Sequence, residues 1–467
     1  MSSLLAALAN GGNALRQFER AVTLTQTQVV NASTPGYAAQ QLRFEAMPFA
    51  PESGLYGGVR VGAIESTRDE FAEAAVRRQA SNLGYHAQSV ITLSSVEASF
   101  DIGDDGGVPA SMQKLFDAFG SWSQSPNDGN AREAVLAAAE EVAVAFRQSA
   151  AQLQSTVKSA LEDAQTLTAK INEIANKVAE INQARRQSPD SISLDSEVYD
   201  TLEQLSEISN FTVIRGTDNT LTVLLGGQIP LVVGDHTYAV QALERPVSTP
   251  GSPSAIQVLD ASGQDVTAVL DSGKLGGVIN GVNQTIASLL GGDGSAGSLN
   301  DLATAFATRI NTLLESGVTA DGSGGLPLFE VAADGSAAAT LKVADLSASD
   351  LAAISPGPPS SANGVAVKLA ALSSPTDDAD KIDGSPFLDY YARLSSQVGN
   401  LVTSARANET RFSQLASQAR SLRSEISGVS LDEEAVRLVE FQRAYDATAR
   451  TISTLNEMMD TLMNMVA

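Results

Sequence analysis

The 467-residue chain has no cysteine, two histidines, one tryptophan and only 5% aromatic residues. Without cysteine there is no disulfide, no thiolate-held zinc, no iron–sulfur cluster and no thiol nucleophile. The two histidines, His86 and His236, fall in different segments with no ligand spacing. They read as a solvated helix residue and a turn residue, so no metal or other cofactor is expected. Positive charge is scarce too: 30 Lys and Arg face 54 Asp and Glu, a formal net charge of −24. That balance opposes phosphate backbones and anionic lipid, so neither nucleic acid nor a membrane surface is an expected partner. No apolar run reaches membrane-spanning length, so no membrane insertion is expected. The opening "MSSLLAALANGGNALRQFER" lacks the charged n-region of a secretory signal, so any export would use another route.

Small side chains in long helical repeats are what the chain does have. Leu4, Leu8, Gly11, Leu15, Phe18, Val22, Thr25 and Val29 alternate steps of four and three, an a/d seam at period 3.5. Ser2 or Ser3 can cap its start. "NASTPGY" then stops it: Pro35 cannot continue a helix and Gly36 allows positive φ, followed by an exposed-looking Tyr37. Residues 38–63 read as extended or hairpin structure, with Val59, Val61 and Ile64 alternating, and residues 68–100 as helix. A loop at 101–111 and a short helix at 112–122 precede the longest seam. That seam runs through Leu136, Ala139, Ala143, Phe146, Ala150, Leu153, Val157, Ala160, Ala164, Leu167, Ile171, Ile174, Val178 and Ile181.

The middle changes character. Two β-branched runs flank the turn "GTDN" within 211–233, and Gly, Ser, Asp and Pro become frequent from 245 to 380, with helical pieces near 274–290 and 299–316. The seam resumes through Leu394, Val398, Leu401, Ala405, Asn408, Phe412, Leu415, Ala419, Leu422 and Ile426, and breaks at "SGVS". Ser430 with Glu433 forms a capping-box signature for the last helix. Its seam is Leu438, Phe441, Tyr445, Thr448, Ile452, Leu455, Met459, Leu462 and Val466.

The expected fold is mainly α with a β-rich insertion: terminal coiled-coil helices, a long helical bundle, and an outer mixed domain. The expected divisions are 1–36 and 430–467 as paired assembly helices, 37–189 and 381–429 as the two passes of a helical rod, and 190–380 as the outer domain. Periodicity alone leaves a self-contained bundle and an assembly rod equally open. The weaker chemical signals read as structure. Asp101, Asp104 and Asp105 lack the twelfth-position Glu of a calcium loop, since residue 112 is Met. "GGDGSAG" and "DGSGG" lack a P-loop lysine. Trp122 and Phe119 read as core. Met458, Met459, Met463 and Met465 fit an adaptable interface or ordinary packing. Asp260, Asp265 and Asp321 are the acids an enzyme in the middle domain would draw on, but they show no catalytic spacing.

The two ends carry a resemblance. Asn31, Thr34, Pro35, Gly36 and Tyr37 match the N-A-x-T-P-G-Y turn that ends the first helix in axial proteins of the bacterial flagellum. The C-terminal stretch is similar to the ending of the same group at Ser427, Gly428, Val429, Asp432, Glu433, Glu434, Leu438, Gln442, Ala444, Tyr445, Ala447, Ala449, Ile452, Ser453, Met458 and Leu462. The SGVxxDEE form resembles that of the hook-associated members at the hook–filament junction, as do "RDEF" at 68–71 and the stretches 125–142, 226–234 and 302–329. The usual Asn-rich end of the first helix reads "TQTQVV" here, the usual L-x-D-x-R-D near 197 reads "DSEVYD", and the chain is short for the group, which implies a reduced outer domain.

The resemblance implies a non-enzymatic structural component of the flagellum, joining hook to filament through self-assembly of its terminal helices into a ring or helical tier. It implies type III export to an extracellular position. The implied partners are other copies of the chain, the hook protein, hook-associated protein 3 and an export chaperone on the C-terminal helix. The expected assembly interface is Leu4, Leu8, Leu15, Phe18, Val22 and Val29 against Leu438, Phe441, Tyr445, Ile452, Leu455, Met459, Leu462 and Val466. Residues 31 and 34–37 are the expected hinge. The alternatives are another axial component (hook protein or hook-associated protein 3), an adhesin-like outer domain, or a scaffold-borne enzyme.

Overall fold

The computed structural model describes residues 2–50, 55–56, 59–100, 106–188, 191–332, 334–357 and 360–466. The acids at 101, 104 and 105 lie outside these residues, as do the side chains of Ser2, Ser3, Val59, Val61 and Val466. In chain order the helices are α1 (Ser2–Asn31), α2 (Glu70–Glu97), α3 (Gly107–Gln124), α4 (Gly129–Gln187), α5 (Ile192–Ile208), α6 (Gly273–Asn280), α7 (Ala287–Leu290), α8 (Ser298–Glu315), α9 (Ala337–Thr340), α10 (Gly364–Ala371), α11 (Phe387–Ser427) and α12 (Leu431–Val466). The strands are β1 (Gln40–Ala46), β2 (Phe49–Ala50), β3 (Leu55–Tyr56), β4 (Val59–Ser66), β5 (Phe211–Arg215), β6 (Leu221–Leu225), β7 (Ile229–Val233), β8 (His236–Thr237), β9 (Gln241–Arg245), β10 (Ala255–Leu259), β11 (Phe329–Glu330) and β12 (Lys342–Val343).

Helix α4 is the backbone of the rod. Its 59 residues give a length of about 90 Å at ~1.5 Å per residue. Asp128 caps it, accepting from the Asn130 amide at 2.9 Å. The long seam is buried or half-buried along its length, but no single helix covers it. The partners of α4 include α3, α9, α5, α6 and the strands, so a succession of elements fills the repeat. Asn172 and Asn182 peg the strands to α4. Asn182 accepts from the Leu221 amide at 2.8 Å and donates to Gly234 O at 2.6 Å, and Asn172 exchanges two bonds with Val240.

The hairpin expected at 211–233 is an antiparallel meander, β5-β6-β7-β8, with the inner side chains of β6, Leu221, Val223 and Leu225, buried. The segment from 190 opens with a helix rather than a strand, because Val198, Leu202 and Leu205 recur at helical spacing and are buried. One apolar cluster runs from Val96 to Val398 and includes this whole middle region.

Three local expectations shift. The loop expected at 101–111 has already become helix at Gly107, because Pro109 sits in the first turn of α3, where its missing N–H is not needed. In α11 the inward residues are Leu394, Val398, Val402, Ala405 and Ala416, while Leu401, Leu415, Leu422 and Ile426 are exposed. A straight helix drifts past a strict heptad, and the buried stripe follows α2, its partner, instead. His86 is not a freely solvated residue. Its ring stacks on Phe412 of α11 at 4.9 Å and 9°, and burial, then Arg411, lowers its pKa. His236 is exposed beside Asp235 in β8. Among the described residues no helix is long and apolar enough to cross a membrane.

Candidate assembly interface

The two chain ends meet. Gln28 touches Glu434 near the base of α1, and Gly11 lies against Ile452 further out, so a step back along α1 is a step forward along α12. The pair is therefore antiparallel. Gly11 sets its closest approach: a Cβ there would lie 2.8 Å from Cγ1 of Ile452. Near the base the β1–β4 hairpin leans in. Phe44 bridges the helices, with ring centroids 6.4 Å from Phe18 and 6.1 Å from Phe441.

The sequence-named strip distributes unevenly. Leu4, Leu8, Leu15, Phe18 and Val22 on α1, and Leu438, Phe441, Ile452, Leu455 and Met459 on α12, are half-buried. Tyr445 and Leu462 are each 39% exposed, Val29 is 42% exposed, and the Val466 side chain lies outside the described residues. At the base the buried positions are Ala21, Thr25 and Gln28 rather than Val22 and Val29. The seam rotates there because α1 is covered by Glu434 and the hairpin together. The pair shelters only one side of each helix. Leu5, Val30, Leu431, Val436, Val439, Met458, Met463 and Met465 remain exposed.

The turn after α1 is built as a joint. Thr34 donates its N–H to Asn31 O at 2.9 Å and its hydroxyl to Asn31 Oδ1 at 3.2 Å, and Tyr37 N–H closes on Thr34 O at 3.2 Å. Pro35 is exposed. Gly36 has φ +70°, and a Cβ would come within 2.3 Å of Ser196 O in α5. Tyr37, expected to be exposed, is half-buried, and burial followed by the Glu434 charge raises its pKa. The second break docks on the first. Ser427 O accepts from Ala39 N–H at 2.7 Å, and Ser427 Oγ accepts from Asp69 N–H and donates to Thr67 O. The capping box is half formed: Glu433 N–H reaches Ser430 Oγ at 3.4 Å, while the Glu433 carboxylate turns to Arg437.

Beneath this joint lies a charge network not read from the sequence. Arg68 pairs with Glu73, both almost fully buried, donates to Gly36 O and lies over the Tyr199 ring at 3.9 Å. Glu73 also receives Arg423 at 3.2 Å, and Arg423 bonds Glu203 at 2.6 Å, which in turn takes Arg420 at 2.8 Å. Burial and the hydrogen bond to Glu70 push the Tyr199 hydroxyl up to about 12. The "RDEF" motif supplied Arg68 and Glu73 follows it by five residues, but Tyr199, Glu203, Arg420 and Arg423 stand far along the chain. The acids an enzyme reading would need serve turns instead: Asp260, Asp265 and Asp321 accept from backbone amides within their own loops, at Ser262, Thr267 and Ser323.

A long helical rod with both chain ends folded back as one half-covered antiparallel pair defines a structural protein with an unfinished surface at its termini. Residues 420–465 match the model described as flagellar basal body rod FlgEFG protein C-terminal, and residues 93–329, just over half the chain, match the flagellar hook-associated protein FlgK helical domain. The chain belongs to the FlgK family of flagellar hook-associated proteins, a family of structural flagellar components. It is 25% identical over 514 residues to flagellar hook-associated protein 1 of Bacillus subtilis (strain 168), covering 99% of each chain. It is 22% identical over 568 residues to the protein of the same name in Salmonella typhimurium, covering 99% of this chain and 100% of that one. The flagellar hook junction protein FlgK from Burkholderia pseudomallei has the same fold, with a TM-score of 0.66 at 14% identity over 76% of this chain and 100% of that one.

Proposed function

We propose that this protein forms the junction between hook and filament, assembling into a ring or helical tier through the α1–α12 pair while residues 190–380 face outward. The observation that carries this is the half-covered terminal pair. α12 buries one stripe on α1 and leaves a second apolar stripe open through Val436, Val439, Met458 and Met465, while α1 leaves only Leu5, Val29 and Val30 exposed among its large apolar residues. Closing that second stripe against neighbouring copies favours association, at about 25 cal/mol per Å² of apolar surface removed from water. The relatives' names add the location, hook-associated and hook junction. Contacts with the hook protein below and hook-associated protein 3 above follow from that position. A chaperone holding α12 before type III export follows from the same exposed stripe, and export places the protein outside the cell.

The test is deletion of residues 1–30 or 430–467 in a cell otherwise lacking the protein, with immunogold labelling of intact flagella. Loss of label at the hook–filament boundary and loss of filament growth are expected from either truncation. Filament growth with either truncated chain would remove the proposal. Label along the hook or the filament would instead favour another axial component.

A further inference from the structure

Arg77 and Arg78 stand side by side on α2, with Arg77 one helical turn beyond Glu73. A Glu and an Arg at that spacing ordinarily pair with each other. Here Glu73 is already taken, one oxygen by Arg68 and the other by Arg423. The neighbouring carboxylates are committed in the same way. Glu203 receives Arg420 and Arg423, and Glu207 receives Arg420 at 3.5 Å and Lys274 at 3.6 Å. Three carboxylates thus already serve four cations before Arg77 and Arg78 are added. Arg77 and Arg78 are left without a paired carboxylate among these three, on a chain whose net charge is −24.

Nη1 of Arg77 is out of contact with solvent and finds no hydrogen-bond acceptor among the described residues. The Arg77 side chain lines a cleft of about 420 Å³ between α2, the end of α5 and β5, bordered by Arg78, Ser81, Asn82, Asn210 and Ser272. A buried guanidinium nitrogen with nothing to donate to is unfavourable. The planar fork of arginine is matched by a carboxylate, and the Asn82 amide stands by as a further donor.

We infer that this cleft is a carboxylate seat, filled by an acidic side chain of a second copy of this chain. The inference rests on the assembly reading above. Charge complementarity names the occupant: with 54 acidic against 30 basic residues, each copy presents carboxylates widely, and this cleft offers a neighbour unspent arginine.

The experiment compares full-length wild type, Arg77→Gln, Arg77→Lys and, as a charge-matched control on an exposed face, Lys368→Gln. The readouts are the concentration for half-maximal incorporation at hook tips from cells lacking the protein, and the melting temperature. Arg77→Gln is expected to raise the half-maximal concentration about tenfold or more. Arg77→Lys falls between, Lys368→Gln matches wild type, and no variant melts below wild type. Incorporation of Arg77→Gln at the wild-type concentration overturns the inference and leaves the assembly reading standing. A lower melting temperature for Arg77→Gln overturns it by placing the guanidinium's partner within its own chain. Failure of wild type itself to incorporate removes the assembly reading and this inference with it. A parallel titration with inorganic phosphate separates the other source of anion. If phosphate raises the melting temperature of wild type but not of Arg77→Gln, and incorporation is equal, the seat takes a free ion and the second copy is excluded.

Discussion

Gln28 and Glu434, one near each end of the chain and each only 2% exposed, face one another across the terminal pair, with the Gln28 amide nitrogen 3.2 Å from a Glu434 oxygen. Gln28 also accepts from the Gln40 N–H at 2.7 Å, and Glu434 takes Arg437 at 2.7 Å. One side chain therefore ties α1 to α12 and to the start of the hairpin. Gln28→Ala leaves the Gln40 donor and one Glu434 acceptor buried without partners, at a cost on the order of 1–3 kcal/mol. The cost falls on the terminal pair. Amide exchange should speed in α12 and β1 and stay unchanged in α4. Unchanged exchange in α12 would show that this contact does not hold the pair.

Gly36→Ala tests the joint. The left-handed φ of +70° costs a residue with a Cβ about 1–2 kcal/mol. The approach of that Cβ to Ser196 O adds a steric cost of about 1–3 kcal/mol, because the obstacle is backbone. Asn tolerates the conformation but meets the same wall, so Gly36→Asn should lose almost as much. Thermal melts of the two variants separate the contributions. A melt of Gly36→Asn matching wild type would mean that α5 gives way easily.

Acid should loosen the charge network. Burial pushes the Glu203 carboxyl up, but the hydrogen bonds and charges of Arg420 and Arg423 outweigh it and hold the group below its ordinary 4.5. A carboxyl depressed in the folded state stabilises fully above its unfolded pKa, and that stabilisation is lost as pH falls through the lower folded value. The loss therefore lies below pH 4.5. Glu203→Gln should be less stable than wild type at neutral pH and should show a flatter decline on acidification. Melting temperatures of both chains from neutral to acid check it. Parallel acid limbs would assign the decline to other groups.

The helices were legible because their information is local. The steps of four and three through Leu4–Val29 and Leu438–Val466, the stop at Pro35–Gly36 and the break at 427–430 each mark an element that exists. What the heptads could not convey is which neighbour fills each stripe. On α11 they named Leu415 and Leu422, which are exposed, while Ala416 is buried against α2. The joint escaped for a different reason. Arg68, Glu73, Glu203 and Arg423 are scattered over more than three hundred residues and only the fold brings them together. Gln28 was visible as a departure from the Asn-rich pattern, and its role emerged only once Glu434 stood opposite.

Val436 and Met463 separate an assembly surface from a self-contained hairpin. Both lie on α12 and are 59% and 62% exposed, Val436 on the open stripe and Met463 on the opposite face near the end of the helix. A polar residue at such a position changes a lone molecule by no more than about 0.5 kcal/mol. Phe441 is different, because it packs on Phe44 inside the pair. Removing a half-buried ring there should lower stability by about 1–3 kcal/mol, short of the full cost of a core Phe→Ala change. The double variant Val436→Gln, Met463→Gln should therefore melt like wild type and yet fail to enter hook tips. Phe441→Ala should melt lower and fail as well. Full incorporation of the double variant would mean that the open stripe of α12 faces solvent in the finished structure, and the drive for assembly would have to be sought on α11.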